Sequence, residues 1–236
     1  MTRRMLRSWK DGKAQHAGTL EDYAHLAEGL LTLYETTFEE RFFVAARELA
    51  DSVLEHFEAP DGGFFDTADD AETLLARPRS LQDNALPSGA SMATLVLLRL
   101  AAFTAESRYR EAAERALAPM VAIAAQHPTG FANWLTAFEL ASGSIDEIAI
   151  VGEPEAEDTR ALLAVARTGF RPNRVVAVAA DPEASAVPLL HGRTAIDGAA
   201  TAYLCRDFAC RRPTTEPAEL AGQLEAARSS QAGASS

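Results

Sequence analysis

The sequence predicts a mainly α protein, a run of αα-hairpins followed by a small α/β unit. Three observations carry this reading. Apolar residues recur at helical spacing from about residue 19 to residue 141, one helix pair is copied by the next, and after residue 144 the pattern changes to short continuous apolar runs. The divisions that follow are 1–143 for the hairpin segment, 144–228 for the α/β unit, and 229–236 for a low-complexity tail expected to be disordered.

The first helix opens at Thr19, a residue able to cap it, and carries Tyr23, Leu26, Ala27, Leu30, Leu31 and Tyr34 as one apolar stripe. A second helix spans about Glu39 to Phe57, with Phe42, Phe43, Ala46, Leu49, Ala50, Val53, Leu54 and Phe57 on its buried side. Ser88 caps a third that runs to about Phe103 and is apolar nearly all round from Met92 to Leu98. Tyr109 to about Gln126 makes a fourth, and Gly130 to Ala141, with Trp134, a further inner helix.

The stretch Leu33–Ala50 lies over Leu100–Leu117. Leu33 matches Leu100, Thr37 matches Thr104, Arg41 matches Arg108, Phe42 matches Tyr109, and the pair Ala45 and Ala46 matches Ala112 and Ala113. In this register Asp22 matches Gly89, so both longer connections enter an inner helix at its N-terminus, where backbone N–H groups are free.

Beyond residue 144, IDEIAIVGEP reads as a buried strand and turn, DTRALLAVARTGF as a helix capped by Asp158, and RVVAVAAD as a second strand. A third strand is expected near Ala200 to Arg206. The turn VGEPEAEDTR has one glycine where a dinucleotide-binding turn has three, and its acidic residues oppose a phosphate.

Taken in order, TLEDYAHLAEGLLTLYETTFEERF, DGGFFDTADDAE, RPRSLQDNALPSGASM, the βαβ segment and AYLCRDFACRRP resemble the C-terminal region of the thioredoxin domain-containing proteins that include the spermatogenesis-associated protein 20-like group. The resemblance covers nearly the whole chain and implies a partial α/α toroid related to six-hairpin glycosidases and N-acylglucosamine 2-epimerases. It implies a carbohydrate-related cavity; if active, that cavity would be of sugar isomerase, epimerase or glycosidase type. The sequence holds no complete catalytic motif, and the alternative is a non-catalytic structural or protein-interaction module. The chain contains no thioredoxin-type cysteine motif, since Cys205 and Cys210 are separated by four residues where that motif has two. The helices are too few to close a toroid, so the chain reads as a C-terminal piece, with a missing N-terminal thioredoxin-like and toroid part, or a second copy of itself, as its partner.

The segment Asp66 to Ser91 concentrates aspartates, arginines and prolines between two helices, more than a chain reversal needs. In α/α toroids such loops line the cavity mouth, so the expected rim comprises Asp22, His25, Asp66, Asp69, Arg77, Asp83, Asn84 and Ser88. Carboxylates there suit acid and base roles toward a small carbohydrate. Asp22 and His25, one turn apart, form a possible acid/base pair, and Arg77, held extended by Pro78, a guanidinium for bidentate pairing with the neighbouring carboxylates. The plain reading beside this one is that the aspartates cap helices and pair with arginines to stiffen a long loop.

Lys and Arg total 22 against 34 Asp and Glu, a net charge of −12 that opposes nucleic acid and anionic membranes at long range. No apolar run reaches the roughly 20 residues that span a bilayer, and no signal-type apolar segment follows the basic start, so a cytoplasmic protein is expected. There Cys205 and Cys210 are expected as reduced thiols, with a thiol-disulfide role as the weaker reading. The histidines are not grouped at metal-ligand spacing, and neither a metal nor a cofactor is expected.

Overall fold

The computed structural model describes residues 4–71, 76–206 and 209–234, with side chains as far as residue 227. The chain divides into two compact units. One comprises Met1–Thr32, Arg41–Ala101 and Glu106–Ala141; the other comprises Leu33–Glu40, Ala102–Ala105 and Ser142–Ser236.

The first unit begins with an antiparallel hairpin that the sequence reading missed, β1 (Leu6–Lys10) and β2 (Lys13–Ala17), in which Lys10 faces Lys13. Its two-residue turn is Asp11–Gly12, both at positive φ (52° and 77°), the turn that matches strand twist. Helix α1 (Leu20–Thr37) follows, and it starts on a capping box: Thr19 N–H and Oγ1–H both donate to Asp22 Oδ2, at 2.8 and 2.9 Å. Of its expected stripe, Tyr23, Ala27, Leu31 and Tyr34 are buried, whereas Leu26 is 47% exposed.

Helix α2 (Glu40–His56) and helix α3 (Gly89–Thr104) lie close to their expected bounds. Ser88 caps α3 as predicted, its Oγ accepting Ser91 N–H at 3.2 Å. Ala24 and Ala27 of α1, Ala50 and Val53 of α2, and Ala93, Val96 and Leu97 of α3 line one small void of about 10 Å³, so the small side chains let the three helices approach closely. The stretch Met92–Leu98, apolar nearly all round, is buried except at Leu95, which is half-buried. The expected fourth helix is interrupted: α4 (Ser107–Leu117) is followed by a 3₁₀ turn at Ala118–Met120 and a short α5 (Val121–Gln126). Pro119 lies in that turn, and its ring cannot continue an α-helical hydrogen-bond ladder. Helix α6 (Ala132–Ser142) buries Trp134, whose Nε1–H donates to Leu81 O at 2.8 Å.

The sequence repeat has a backbone counterpart. α1 ends at Phe38 (φ 58°) and α3 at Ala105 (φ 60°), equivalent residues in the repeat and both left-handed. At the other end Gly89 is needed: a Cβ there would lie 2.7 Å from Glu21 N, so the starts of α1 and α3 touch backbone to backbone.

In the second unit, β3 (Asp146–Val151) pairs in parallel with β4 (Arg174–Ala179) and antiparallel with β5 (Thr201–Arg206), which pairs with β6 (Ala209–Cys210). The sheet order is β4-β3-β5-β6. Helix α7 (Glu157–Arg167) connects β3 to β4, and helix α8 (Pro217–Ala234), absent from the sequence reading, completes the unit. Ile148, Ile150, Leu162, Val176, Val178, Leu204, Leu220 and Leu224 form its core. α8 takes in residues 229–234, assigned to a tail from sequence; residues 235–236 lie outside the described residues. Asp158 does not cap α7, whose first flanking residue is Ala156. Its carboxylate instead accepts Thr159 N–H and, across the unit, Ala200 N–H, each at 2.8 Å. The edge strand β4 has its Val176 N–H taken by Glu35 Oε1 at 2.8 Å.

Candidate functional site

The N-terminal ends of α1 and α3 border a cleft of about 490 Å³ within the first unit. The hairpin contributes Arg7, the start of α1 contributes Thr19 and Glu21, and the long connection contributes Asp66, Ser80, Gln82 and the run from Asn84 to Gly89. Of the residues expected on a rim, Asp66, Asn84 and Ser88 line it. Asp66 accepts Ser80 Oγ–H at 2.7 Å and Ser80 N–H at 3.0 Å, and its backbone carbonyl accepts Leu20 N–H at 3.0 Å, fastening the loop to the start of α1.

The other expected residues go elsewhere. Asp22 is occupied by the capping box, with Arg7 at 3.8 Å, and forms no pair with His25. His25 sits one turn along, and its Nδ1 donates to Glu21 O at 2.9 Å, a bond within its own helix. Asp83 is buried behind the cleft, where its carboxylate accepts Ser88 N–H (2.9 Å), Ser91 Oγ–H (2.7 Å) and Asn133 N–H (2.9 Å). It therefore joins the starts of α3 and α6, and is structural.

Arg77 does not make the expected carboxylate pairs. Its guanidinium donates to the carbonyls of Thr67 and His56 and lies 4.0 Å from the Phe65 ring centroid, because the loop folds its own backbone around it. Asp69 accepts from His56 Nδ1 at 2.8 Å, a bond that holds the Asp69 carboxyl below the usual aspartate range. Asp70 pairs with Arg4, and Asp61 with Arg79. His56, Asp69 and Asp70 bring ligand-type atoms within 4.8 Å of one another, a grouping hidden in sequence by thirteen intervening steps. Each of the three already has a protein partner, which leaves them poorly disposed to coordinate an ion.

What the sequence reading missed is Glu21. It is exposed on the cleft, and its carboxylate has no hydrogen-bond or ion-pair partner among the described residues. Its signal was available: it stands beside Asp22 at the start of the inner helix, one residue before the position that matches Gly89 of the next repeat. Ser80, Gln82 and Arg7 were also missed, because hydroxyls and amides on a loop, or a basic residue in an unrecognised hairpin, carry no spacing pattern. The cysteines differ from expectation as well. Cys205 and Cys210 face each other across β5 and β6 and form a disulfide, since the register of the two strands sets their Cα atoms opposite each other, 3.9 Å apart.

The molecule is thus an αα-hairpin unit with a polar cleft at its helix starts, accompanied by a small α/β unit. In sequence the chain is homologous to spermatogenesis-associated protein 20: it is 32% identical to the mouse protein over 209 residues, covering 86% of this chain and 26% of that protein, and equally identical to the human one over the same share of this chain. A protein described as uncharacterised from Caenorhabditis elegans is 28% identical over 204 residues. No protein-family model matches the sequence. The chain spans about a quarter of the length of these relatives.

Proposed function

We propose that this chain is the C-terminal part of a cytoplasmic protein with a partial α/α toroid, and that its cleft binds a small, neutral, hydroxyl-rich ligand of carbohydrate type. The observation that carries the reading is the Glu21 carboxylate, without a partner among the described residues, in a cleft whose neutral polar lining is hydroxyl and amide, from Thr19, Ser80, Gln82, Asn84 and Ser88, beside one cation, Arg7, and the Ser80-bound carboxylate of Asp66. A carboxylate accepting from vicinal hydroxyls, amides that both donate and accept, and the apolar surface of Leu86 and Pro87 for ring C–H groups suit a sugar. The short share of the relatives covered supports a longer protein, whose thioredoxin-like and remaining toroid parts would be the natural partners.

Binding is proposed without chemistry. Glycoside cleavage needs two working carboxyl groups, and Asp66, the other carboxylate lining the cleft among the described residues, is engaged by Ser80. One observation favours the second reading, a non-catalytic interaction module: Asp22, Asp66, Asp69, Asp70 and Asp83 all hydrogen-bond to this chain. Calorimetric titration of the chain with a panel of neutral mono- and disaccharides separates the two. Saturable binding that Glu21→Gln weakens about tenfold or more, with an unchanged melting temperature, supports the cleft. Arg77→Ala serves as the control, expected to lower the melting temperature and leave affinity intact. Absence of binding to every sugar, in wild type and variant alike, favours the module.

A further inference from the structure

The second unit contains a group of residues that the cleft does not involve. β5 and β3 are antiparallel with Cys205 opposite Glu147, and Tyr203 lies two residues before Cys205 on the same face. The other face carries the apolar core through Ile148, Ala202 and Leu204. Cys205 is 1% exposed, whereas Cys210, its partner in the disulfide, is exposed. Arg193 reaches both sulfurs: its Nη2 lies 3.2 Å from Cys205 Sγ and 3.3 Å from Cys210 Sγ. The guanidinium is half-buried against the Tyr203 ring, 5.7 Å from its centroid, with the Glu147 carboxylate acting on it electrostatically, and its Nε has no partner among the described residues.

A disulfide that only ties a hairpin has no need of a cation over both sulfurs. A fixed guanidinium has little to gain beside a neutral disulfide and much beside a thiolate, which is the nucleophile in exchange. The exposure is also unequal, as exchange requires: one sulfur on the outside to meet a reactant, one inside to resolve the product.

We infer that Cys205 and Cys210 form a reversible dithiol–disulfide centre that exchanges with low-molecular-weight thiols and their disulfides, Cys210 being the entry sulfur and Arg193 the group that holds the thiolate. In the oxidising direction the Cys210 thiolate attacks a disulfide R–S–S–R; a Cys210–S–R bond forms, and one R–S⁻ leaves and takes up a proton. The Cys205 thiolate then attacks Cys210 Sγ, the intramolecular disulfide forms, and the second R–S⁻ leaves. The protein dithiol loses two electrons and the reactant disulfide gains them as two thiols. The reverse sequence, driven by excess thiol, reopens the pair.

The test equilibrates the folded chain in mixtures of reduced and oxidised glutathione, followed by acid quenching, maleimide labelling and mass spectrometry. The expected result is one reversible transition between no labelled thiols and two, without loss of the circular-dichroism signal. Cys205→Ser should accumulate glutathione on Cys210. In reduced wild-type protein, brief alkylation with peptide mapping should mark Cys210 first, and Arg193→Gln should slow that alkylation about tenfold at neutral pH. The mapping needs no cysteine variant, so it decides even if a variant fails to fold. A disulfide that excess reduced glutathione opens only in denaturant, alkylation of Cys205 ahead of Cys210, or an unchanged rate in Arg193→Gln would each overturn the inference.

Discussion

Asp83 shows how one side chain can organise a loop while standing next to a site it does not serve. It is 7% exposed, and its two oxygens take the N–H of Ser88, the hydroxyl of Ser91 and the N–H of Asn133, donors belonging to the starts of two helices. Asp83→Ala leaves those buried donors without an acceptor, and each such orphan costs about 1–3 kcal/mol, so a loss on the order of 3 kcal/mol in urea unfolding is expected once partial rehydration is allowed for. Asp83→Asn keeps one acceptor oxygen and should fall between. At this scale the sequence was half legible. That a loop rich in Asp and Arg is ordered by them could be read from composition, but which carboxylate remained free could not. Glu21 and Asp22 are neighbours of like charge, and only the capping geometry of Thr19 decides that Asp22 is occupied and Glu21 is not.

Helices were legible where packing repeats a period, and illegible where one residue decides. The bounds of α2, α3 and α6 follow from apolar spacing and flanking residues, whereas the break at Pro119 is hidden by an apolar run that continues through it. The hairpin β1–β2 was missed because its strands are exposed throughout and lack alternation; Asp11–Gly12 was its one signal. α8 was missed because its apolar stripe is short, two leucines and an alanine at Leu220, Leu224 and Ala227 within an alanine-rich stretch. The repeat makes a paired prediction about elements. Ala105 closes α3 at φ 60° and is exposed, so Ala105→Gly removes left-handed strain and should stabilise by about 0.5–1 kcal/mol. Gly89→Ala raises helix propensity yet sets a Cβ 2.7 Å from Glu21 N and 3.0 Å from Glu21 Cα, so the two helix starts must separate. A loss of about 1–3 kcal/mol is expected. Opposite shifts of the urea midpoint check both, and a stabilised Gly89→Ala would mean that the approach of α1 and α3 is not constrained.

For the whole chain the carboxylates act in two opposing ways as pH falls. With a net charge of −12 near neutrality, protonation first relieves self-repulsion and favours the folded chain. Against this stand aspartates whose folded pKa lies below the ordinary value: Asp61 through its hydrogen bonds from Arg79, Asp69 through His56, and Asp158 through the N–H groups of Ala200 and Thr159. A depressed folded pKa means that the contribution is complete above the unfolded pKa, about 3.9 for Asp, and is lost as pH falls through the lower, folded value. Stability should therefore hold or rise slightly from pH 7 to about 5, then drop steeply below about 4 as these groups take up protons. Asp158 is the cleanest probe, because backbone donors that do not titrate within this range set its shift. Asp158→Asn should be less stable than wild type at pH 7, and urea midpoints measured down to pH 3 should converge, since by then the native carboxylate is losing the advantage that asparagine never had. Parallel midpoint curves across that range would show that Asp158 is not coupled to folding and that the acid limb belongs to other groups.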